Sequence, residues 1–515
     1  MLAIVHACIL QGLTAVQIQV EVDVSSGLPD FILVGLPDAT VRESRERVRS
    51  ALKNSGFHFP ARRILVNMAP AHVRKVGAGF DLAVAAGILK ASGQLDDVCL
   101  DPFWLVGELS LDGSVKGIRG ILPIALAMQS QKDLSLVLAR ENVREASRAT
   151  ERLIPVERLE ALTQLGRVPV PDTNPNPRGS NEESPVHGTV DLSQIRGQLQ
   201  ARRALEVAAA GSHNLLMTGS PGVGKSLLAG AIASILPPMT EPEALEVNQI
   251  YSVAGLLSEK SPWLTRRPFR SPHHRISLGG MLGGGKDMRP GEITLATHGV
   301  LYLDEIPEFP RSILESLRQP MEEGRILMSR AWGNWEYPSR FQLVASSNPC
   351  HCGFYGDPRR ECVCTEYQIQ MYRNRISGPI LDRIDLQVQV PRVELNELTD
   401  GGRQPESSHP VLERVMRARQ RQARRARSLG TCPESAPETG LNAFLNQKTL
   451  DQACVMSGQA RSFLGKAYDS LNLSARGYVR ILRVARTIAD LEDSDVIHLP
   501  HMAEALQYRG QEITP

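Results

Sequence analysis

Gly219-Ser220-Pro221-Gly222-Val223-Gly224-Lys225-Ser226 is the stretch on which the reading of this chain turns. It fits G-x-x-x-x-G-K-[ST], a loop whose glycines let backbone N–H groups face phosphate oxygens. The helix that follows such a loop adds the positive end of its dipole. Residues 214–218 before the loop predict a strand, and residues 227–235 after it predict a helix. In that setting Lys225 reaches the β and γ phosphates of a nucleotide and Ser226 ligates Mg2+. The competing reading, a glycine-rich turn with a surface lysine, lacks a reason for the strand and helix on either side.

Working outward, residues 300–303 form an apolar run that ends in Asp304-Glu305. A buried strand ending this way puts Asp304 in the Mg2+ shell and Glu305 beside the attacking water; taken alone, the same pair is a common helix cap. Residues 341–345 lead to Ser346-Ser347-Asn348, where Asn348 either orients that water or is a turn residue ahead of Pro349. Each strand thus ends in a polar group, which is where open α/β sheets place their ligands.

Earlier in the chain, residues 15–24, 31–35, 64–68 and 103–109 read as strands, and 41–55 and 81–92 as helices, an α/β pattern. From residue 411 the pattern is nearly all helical. Residues 169–185 read PVPDTNPNPRGSNEESP and cannot bury much apolar surface, as expected of a linker. A softer break lies at 397–409. The expected layout is an α/β domain over 1–168, a linker over 169–187, a nucleotide-binding core over 188–396 and a helical lid over 397–515.

Lys and Arg number 58 against 56 Asp and Glu, so no global basic field argues for nucleic acid and any such binding needs local patches. No apolar run is long enough to span a membrane, and the apolar start has no basic leader or cleavage site. The eight cysteines are not spaced as a disulfide framework, which favours a reducing cytoplasm.

Four of those cysteines fall together. Cys350-His-Cys352 and Cys362-Val-Cys364 offer four thiolates in two close pairs, the donor set of a structural Zn2+. An iron–sulfur cluster or free thiols are the alternatives. Residues 275–289, rich in glycine with Lys286 and Arg289, and 325–340, a hairpin turning at Gly333-Asn334, look like insertions. Arg330, Trp332 and Trp335 give the hairpin charge and stacking surface suited to single-stranded nucleic acid, unless the tryptophans pack locally. Residues 414–427 carry seven arginines, read either as a solvated face or as a DNA contact.

Arg267-Pro-Phe-Arg-Ser-Pro-His-His274, Arg289-Pro-Gly-Glu292 and Gly378-Pro-Ile-Leu-Asp-Arg-Ile-Asp385, added to the strand order, resemble the magnesium-chelatase-like branch of the AAA+ ATPases. Over nearly the whole chain the resemblance is to the ComM/YifB family of competence proteins. It implies an ATP-dependent hexameric DNA motor, a helicase or branch-migration enzyme for single-stranded and branched DNA in natural transformation. A protein or cofactor remodeller of the magnesium-chelatase type is the alternative. The resemblance also implies that Arg383 acts across a subunit boundary on the transferring phosphoryl group, unless it only pairs with Asp382 or Asp385. Arg476 matches the lid arginine that reads the γ-phosphate, with Arg480 and Arg483 as alternatives.

The first 168 residues resemble the Lon-protease-type domain of the S5 superfamily. Lys75-Val-Gly-Ala-Gly79-Phe-Asp81 lies where that fold carries its serine, and Ile118-Arg-Gly120-Ile-Leu122 where it carries its lysine. Gly79 and Leu122 occupy those positions, so the dyad is missing and no acyl chemistry is expected. An assembly or DNA-binding role is implied instead. Arg42, Arg45, Arg47 and Arg49 are either basic contacts or a charged helix face.

Overall fold

A computed structural model describes the chain apart from residues 96, 132, 166–189, 259–262, 286–287, 331–332, 394–404, 431–439, 472 and 510–515. The expected linker and most of the softer break at 397–409 lie outside the described residues.

The first sheet begins as a long antiparallel hairpin, Leu2–Gln11 paired with Thr14–Ser25. The remaining strands complete a mixed seven-stranded sheet. Its order is Asp30–Val34, Arg63–Ala69, Thr14–Ser25, Leu2–Gln11, Phe103–Leu105, Ser135–Ala139, Leu153–Val156. Alternation sends Val5, Ala7, Ile18 and Val20 to one face and Cys8 to the other. The helix Asp81–Ala91 packs on the first face; nearly every residue in it is buried, and Gly87 lets it approach Val22 and Val5. The short helix Ile121–Ala127 covers the second face with Trp104 and Leu136. The expected strand over 103–109 is two pieces, Phe103–Leu105 and Glu108–Leu109, separated by Val106 and Gly107.

The second sheet is wholly parallel. Its order is Phe269–Arg270, Val300–Leu303, Gln342–Ser347, Leu215–Thr218, Leu386–Gln389. Both faces are covered, as parallel sheets require. Leu215, Met217, Tyr302 and Val344 face one apolar core, while Leu216, Leu301, Leu303 and Leu343 face the other. The helices Leu199–Gly211 and Lys225–Ile235 line the first.

The C-terminal helices close that same core. Ser408–Ser428 lies against Leu199–Gly211, Lys225–Ile235 and Ala475–Leu491, with Val411, Val415 and Ala418 inward. Four of its arginines are structural. Arg414 pairs with Glu206 and Glu406 at 2.5 and 2.7 Å, and Arg419 donates to the Ala209 carbonyl at the end of Leu199–Gly211. Arg425 holds Asp490 in two bonds of 2.8 and 2.6 Å, and Arg421 pairs with Asp495. Arg417, Arg424 and Arg427 stay exposed, spaced to share one helix face. The arginine-rich stretch is therefore mainly a docking seam.

The two sheets are joined through the helices Ile121–Ala127 and Glu241–Ala254. Gly120 N–H donates to the Ser252 carbonyl at 3.0 Å. Leu122 N–H reaches both Ser252 Oγ at 3.4 Å and Glu145 Oε1 at 3.3 Å, and Ser252 Oγ donates to Glu145. Burial pushes the Glu145 carboxyl above its ordinary range. A carboxyl raised on folding stabilises fully at acid pH and loses that contribution as pH rises through its elevated pKa. Thermal unfolding across a pH series should therefore show the parent's stability declining from the ordinary carboxylate range up to that raised value and levelling off above it. Glu145→Gln, which keeps the acceptor and removes the titration, should flatten the decline.

Candidate nucleotide-binding site

The parallel ladder sets the site. Leu215–Thr218 lies between Gln342–Ser347 and Leu386–Gln389, with Thr218 opposite Ser347. Gly219 N–H continues the ladder to the Ser347 carbonyl at 3.2 Å. The loop then turns through Gly222 and Gly224, whose φ values of +79° and +91° suit glycine. Lys225 opens the next helix.

Lys225 is buried, and its Nζ donates to the carbonyls of Gly219 and Ser220 at 2.6 and 3.0 Å and to Asn348 Oδ1 at 3.0 Å. Burial pulls its pKa down, opposed by Asp304 and Glu305. Ser226 Oγ donates to Asp304 Oδ2 at 3.1 Å. Asn348 Nδ2 donates to Glu305 Oε1 at 3.4 Å. The structure thus gathers Lys225, Ser226, Asp304, Glu305 and Asn348 at the ends of three adjacent strands. A hydroxyl and a carboxylate in contact are the hard oxygen donors that Mg2+ takes.

Two members of the cluster escape the sequence motifs. Tyr302 OH donates to Asp304 Oδ1 at 2.8 Å. Ser346 Oγ donates to the same oxygen and accepts from Glu305 N–H at 3.0 Å. Burial would raise the Asp304 carboxyl, but the bonds from Ser346, Tyr302 and Ser226 and the Lys225 charge outweigh it and hold the carboxyl below its usual range. Ser346 also anchors Glu305 in the left-handed region, at φ +51°, a conformation uncommon outside glycine. A serine two residues before Asn348 was the available signal.

Arg383 and Arg476 are placed differently. Arg383 donates to the Pro379 carbonyl at 2.6 Å and pairs with Glu322, not with Asp382 or Asp385, and its Nε is buried without a partner. Arg480 binds Asp382 at 3.2 Å and the carbonyls of Leu381 and Ile384, while Arg483 donates to the Leu445 carbonyl. Arg476 is exposed at the start of the helix Ala475–Leu491. None of these contacts is with the strand-tip cluster.

The four cysteines do converge. Their sulfurs lie within 4.8 Å of one another, with Cys350, Cys352 and Cys362 at 3.4–3.6 Å. That is too far for a disulfide and close to the spacing of about 3.8 Å set by four sulfurs about 2.3 Å from one Zn2+. Bonds from the backbone of Phe354 and Val363 outweigh desolvation and pull the Cys352 thiol down to about 6.

The two inserted segments also meet. The strands Arg325–Arg330 and Gly333–Pro338 pair with Arg330 opposite Gly333. Gly333 and Asn334 are therefore strand residues rather than the turn; Trp332 and Lys286 lie outside the described residues. Trp335 is buried with Met288, Tyr337 and Met328, and Tyr337 OH donates to the Met288 carbonyl at 2.8 Å. Trp335 is a packing residue, not stacking surface; Arg330 is exposed. In the N-terminal domain Arg47 holds the buried Asp81 at 2.7 Å, Arg45 donates to the Phe31 carbonyl and Arg49 lies over the Phe59 ring. These three arginines have partners inside their own domain.

Comparison with known proteins agrees with this geometry. The model of the magnesium chelatase subunit ChlI family matches residues 191–398, that of the subunit ChlI of Mg-chelatase matches 20–142, and that of the ChlI C-terminal region matches 405–509. The competence protein ComM of Haemophilus influenzae is 43% identical over 523 residues, covering 99% of this chain and 97% of that protein. YifB of Escherichia coli is 42% identical over 512 residues, with the same coverage. The magnesium-chelatase 38 kDa subunit of Cereibacter sphaeroides is 28% identical over 176 residues, 31% of this chain and 52% of that protein.

Ser346→Ala removes one donor to Asp304 and the anchor of Glu305. Titration of nucleotide hydrolysis with Mg2+ should show the half-saturating concentration rising about tenfold, the scale of one hydrogen bond to a charged group.

Proposed function

This chain belongs to the magnesium-chelatase-like AAA+ family alongside ComM and YifB, and on that premise we propose that it is an ATP-hydrolysing hexameric motor acting on DNA. The convergence of Lys225, Ser226, Asp304, Glu305 and Asn348 at adjoining strand tips carries the hydrolytic half of this reading. The phosphate-binding loop, Gly219 to Ser226, takes the triphosphate, and Lys225 exchanges its loop carbonyls for β and γ oxygens. Ser226 and Asp304 would hold Mg2+, which would supply positive charge against the phosphates. Glu305 accepts the proton of the attacking water, and Asn348 orients that carboxylate. Glu305→Gln should bind nucleotide as tightly as the parent and turn over at least a hundredfold more slowly. Lys225→Ala should lose nucleotide affinity itself, and equilibrium binding with single-turnover hydrolysis separates the two.

Arg383 is assigned to the neighbouring subunit's nucleotide. Its unpartnered Nε and its pairing with an exposed Glu322 support a side chain that can change partners. Arg476 is assigned to the lid role because Arg480 and Arg483 are already committed. Residues 1–168 form a Lon-like domain without nucleophile or base, consistent with Gly79 beside Ile118 and Leu122 in the contact with Ser252. The units 188–396 and 397–515 are core and lid, and the compartment is the cytoplasm. No described helix is long and apolar enough to cross a membrane. The four thiols hold Zn2+ as a structural ion.

The DNA half rests on the near full-length likeness to the competence protein ComM. That likeness supports a competence-related role, and with it the reading as a helicase or branch-migration enzyme on single-stranded and branched DNA, serving recombination in natural transformation. Arg330, exposed at the end of the joined insertions, is the contact offered to the strand. The test is ATP hydrolysis with and without forked and three-stranded DNA, together with strand displacement. Neither stimulation nor displacement would leave a remodeller of the magnesium-chelatase type. Arg330→Ala should weaken DNA binding and make it less steep in salt, because fewer counterions are released.

A further inference from the structure

The cysteine loop is built onto the back of the nucleotide loop. Gly353, at φ +86°, lies against Pro221, and a Cβ placed there would come within 2.6 Å of the proline ring. Only a residue without a side chain permits that approach, and Pro221 belongs to the phosphate loop itself. Asp357 makes a second tie. Its side chain is buried close to Ser220, the neighbouring loop residue; one oxygen accepts from the Arg359 and Arg360 N–H groups at 2.9 and 3.2 Å and the other pairs with Arg392 at 2.8 Å. The third tie is along the chain, since Cys350 follows Asn348 by two residues and Asn348 accepts from Lys225 at 3.0 Å. Arg373, on the helix after the cysteines, donates to the Pro349 carbonyl between them at 3.4 Å and lies over Tyr355.

Between Cys352 and Cys362 the loop is held by local turns, with Asp357 N–H donating to the Phe354 carbonyl at 3.1 Å and Arg360 over the Phe354 ring at 4.0 Å; Tyr355 and, beyond Cys362, Val363 are exposed. The four sulfurs bring the two ends of the loop together.

We infer that the four-cysteine site is a positioning device for nucleotide binding: a tetrathiolate-bound Zn2+ fixes the loop that holds Pro221, Ser220 and Asn348 in place. Gly353 and Asp357 transmit the constraint and are positioning residues. The inference rests on the zinc reading above, and its predictions separate from that reading. Metal binding at such a site is folding free energy for the segment it closes. Without it the phosphate loop must pay its own ordering cost when nucleotide binds, so affinity falls while the chemical step is retained.

The experiment measures metal content, equilibrium ATP binding and single-turnover hydrolysis in the full chain, with thermal unfolding alongside. The parent should carry about one zinc per chain. Cys362→Ser should lose it and bind ATP about tenfold more weakly, with the saturated single-turnover rate changed much less. Gly353→Ala and Asp357→Asn keep all four thiols. Both should retain zinc and the melting temperature to within a few degrees, yet also weaken ATP binding about tenfold, the scale of one lost charge-assisted contact. Parent affinity in zinc-free Cys362→Ser overturns the inference even if stability falls. So does parent affinity in both Gly353→Ala and Asp357→Asn. A parent that binds no zinc when purified or reconstituted removes the ion from the proposal. The Gly353 and Asp357 variants then still decide whether the loop positions the site.

Discussion

The parallel ladder between Leu215–Thr218 and Gln342–Ser347 is the constraint on which the site depends. Side chains at strand tips can meet only if register is fixed, because a slip of one residue exchanges the two faces. Here both faces are buried, in two separate apolar cores, so register is held from above and below. With Thr218 opposite Ser347, the phosphate loop and Asn348 leave the sheet side by side. The next strand, Val300–Leu303, pairs with Gln342–Ser347 and delivers Asp304 and Glu305 to the same edge. Catalytic geometry is in this sense a by-product of core packing.

The same logic explains what could be read without coordinates. Residues 300–303 are legible as a strand because their neighbours in sequence are all apolar, and the observed strand has those bounds. The phosphate loop is legible because its glycines and lysine act within eight residues of each other. Tyr302 is not legible, looking like an ordinary strand residue, and Ser346 is legible only as a polar residue ahead of Asn348; the role of each exists only where it meets Asp304 from a different direction. The arginines of 414–427 mislead for the reverse reason. Their density suggests a surface for phosphates, but Glu206, Asp490 and Asp495 and the Ala209 carbonyl, far away in sequence, already claim four of the seven. Trp335 follows suit, since Met288 and Tyr337 bury it.

The C-terminal helices and the parallel sheet share one core. Val411 and Val415 pack with Ala208 and Leu228 rather than forming a separate cluster. Beneath them Arg425 and Arg486 converge on Asp490, which has no exposure of its own. Breaking one partner of such a buried charge group is costly, on the order of 3–5 kcal/mol. The helical segment is accordingly held to the core at its seam. Arg476 is exposed at the start of its helix.

The N-terminal domain reaches two places at once. Leu13, at the tip of its long hairpin, packs with Ile250 and Tyr251 beside the docking helix and with Trp335 and Met288 of the inserted segments. Any movement of those segments relative to the ATPase core must therefore slide across Leu13 or uncover it. Fully exposing one such apolar side chain costs about 1.5–3 kcal/mol. Leu13 is only partly buried, so its share is smaller. That is the size of the gaps by which ligands shift two-state equilibria. It is too small to lock the insertions and large enough to bias them. The docking contact at Ser252 and Glu145, by contrast, is made of hydrogen bonds whose partners would be left buried and unpaired, a steeper cost per contact. The domain thus grips the ATPase body through the hydrogen-bonded contact at Ser252 and Glu145 and meets the inserted hairpin at Gly12 and Leu13.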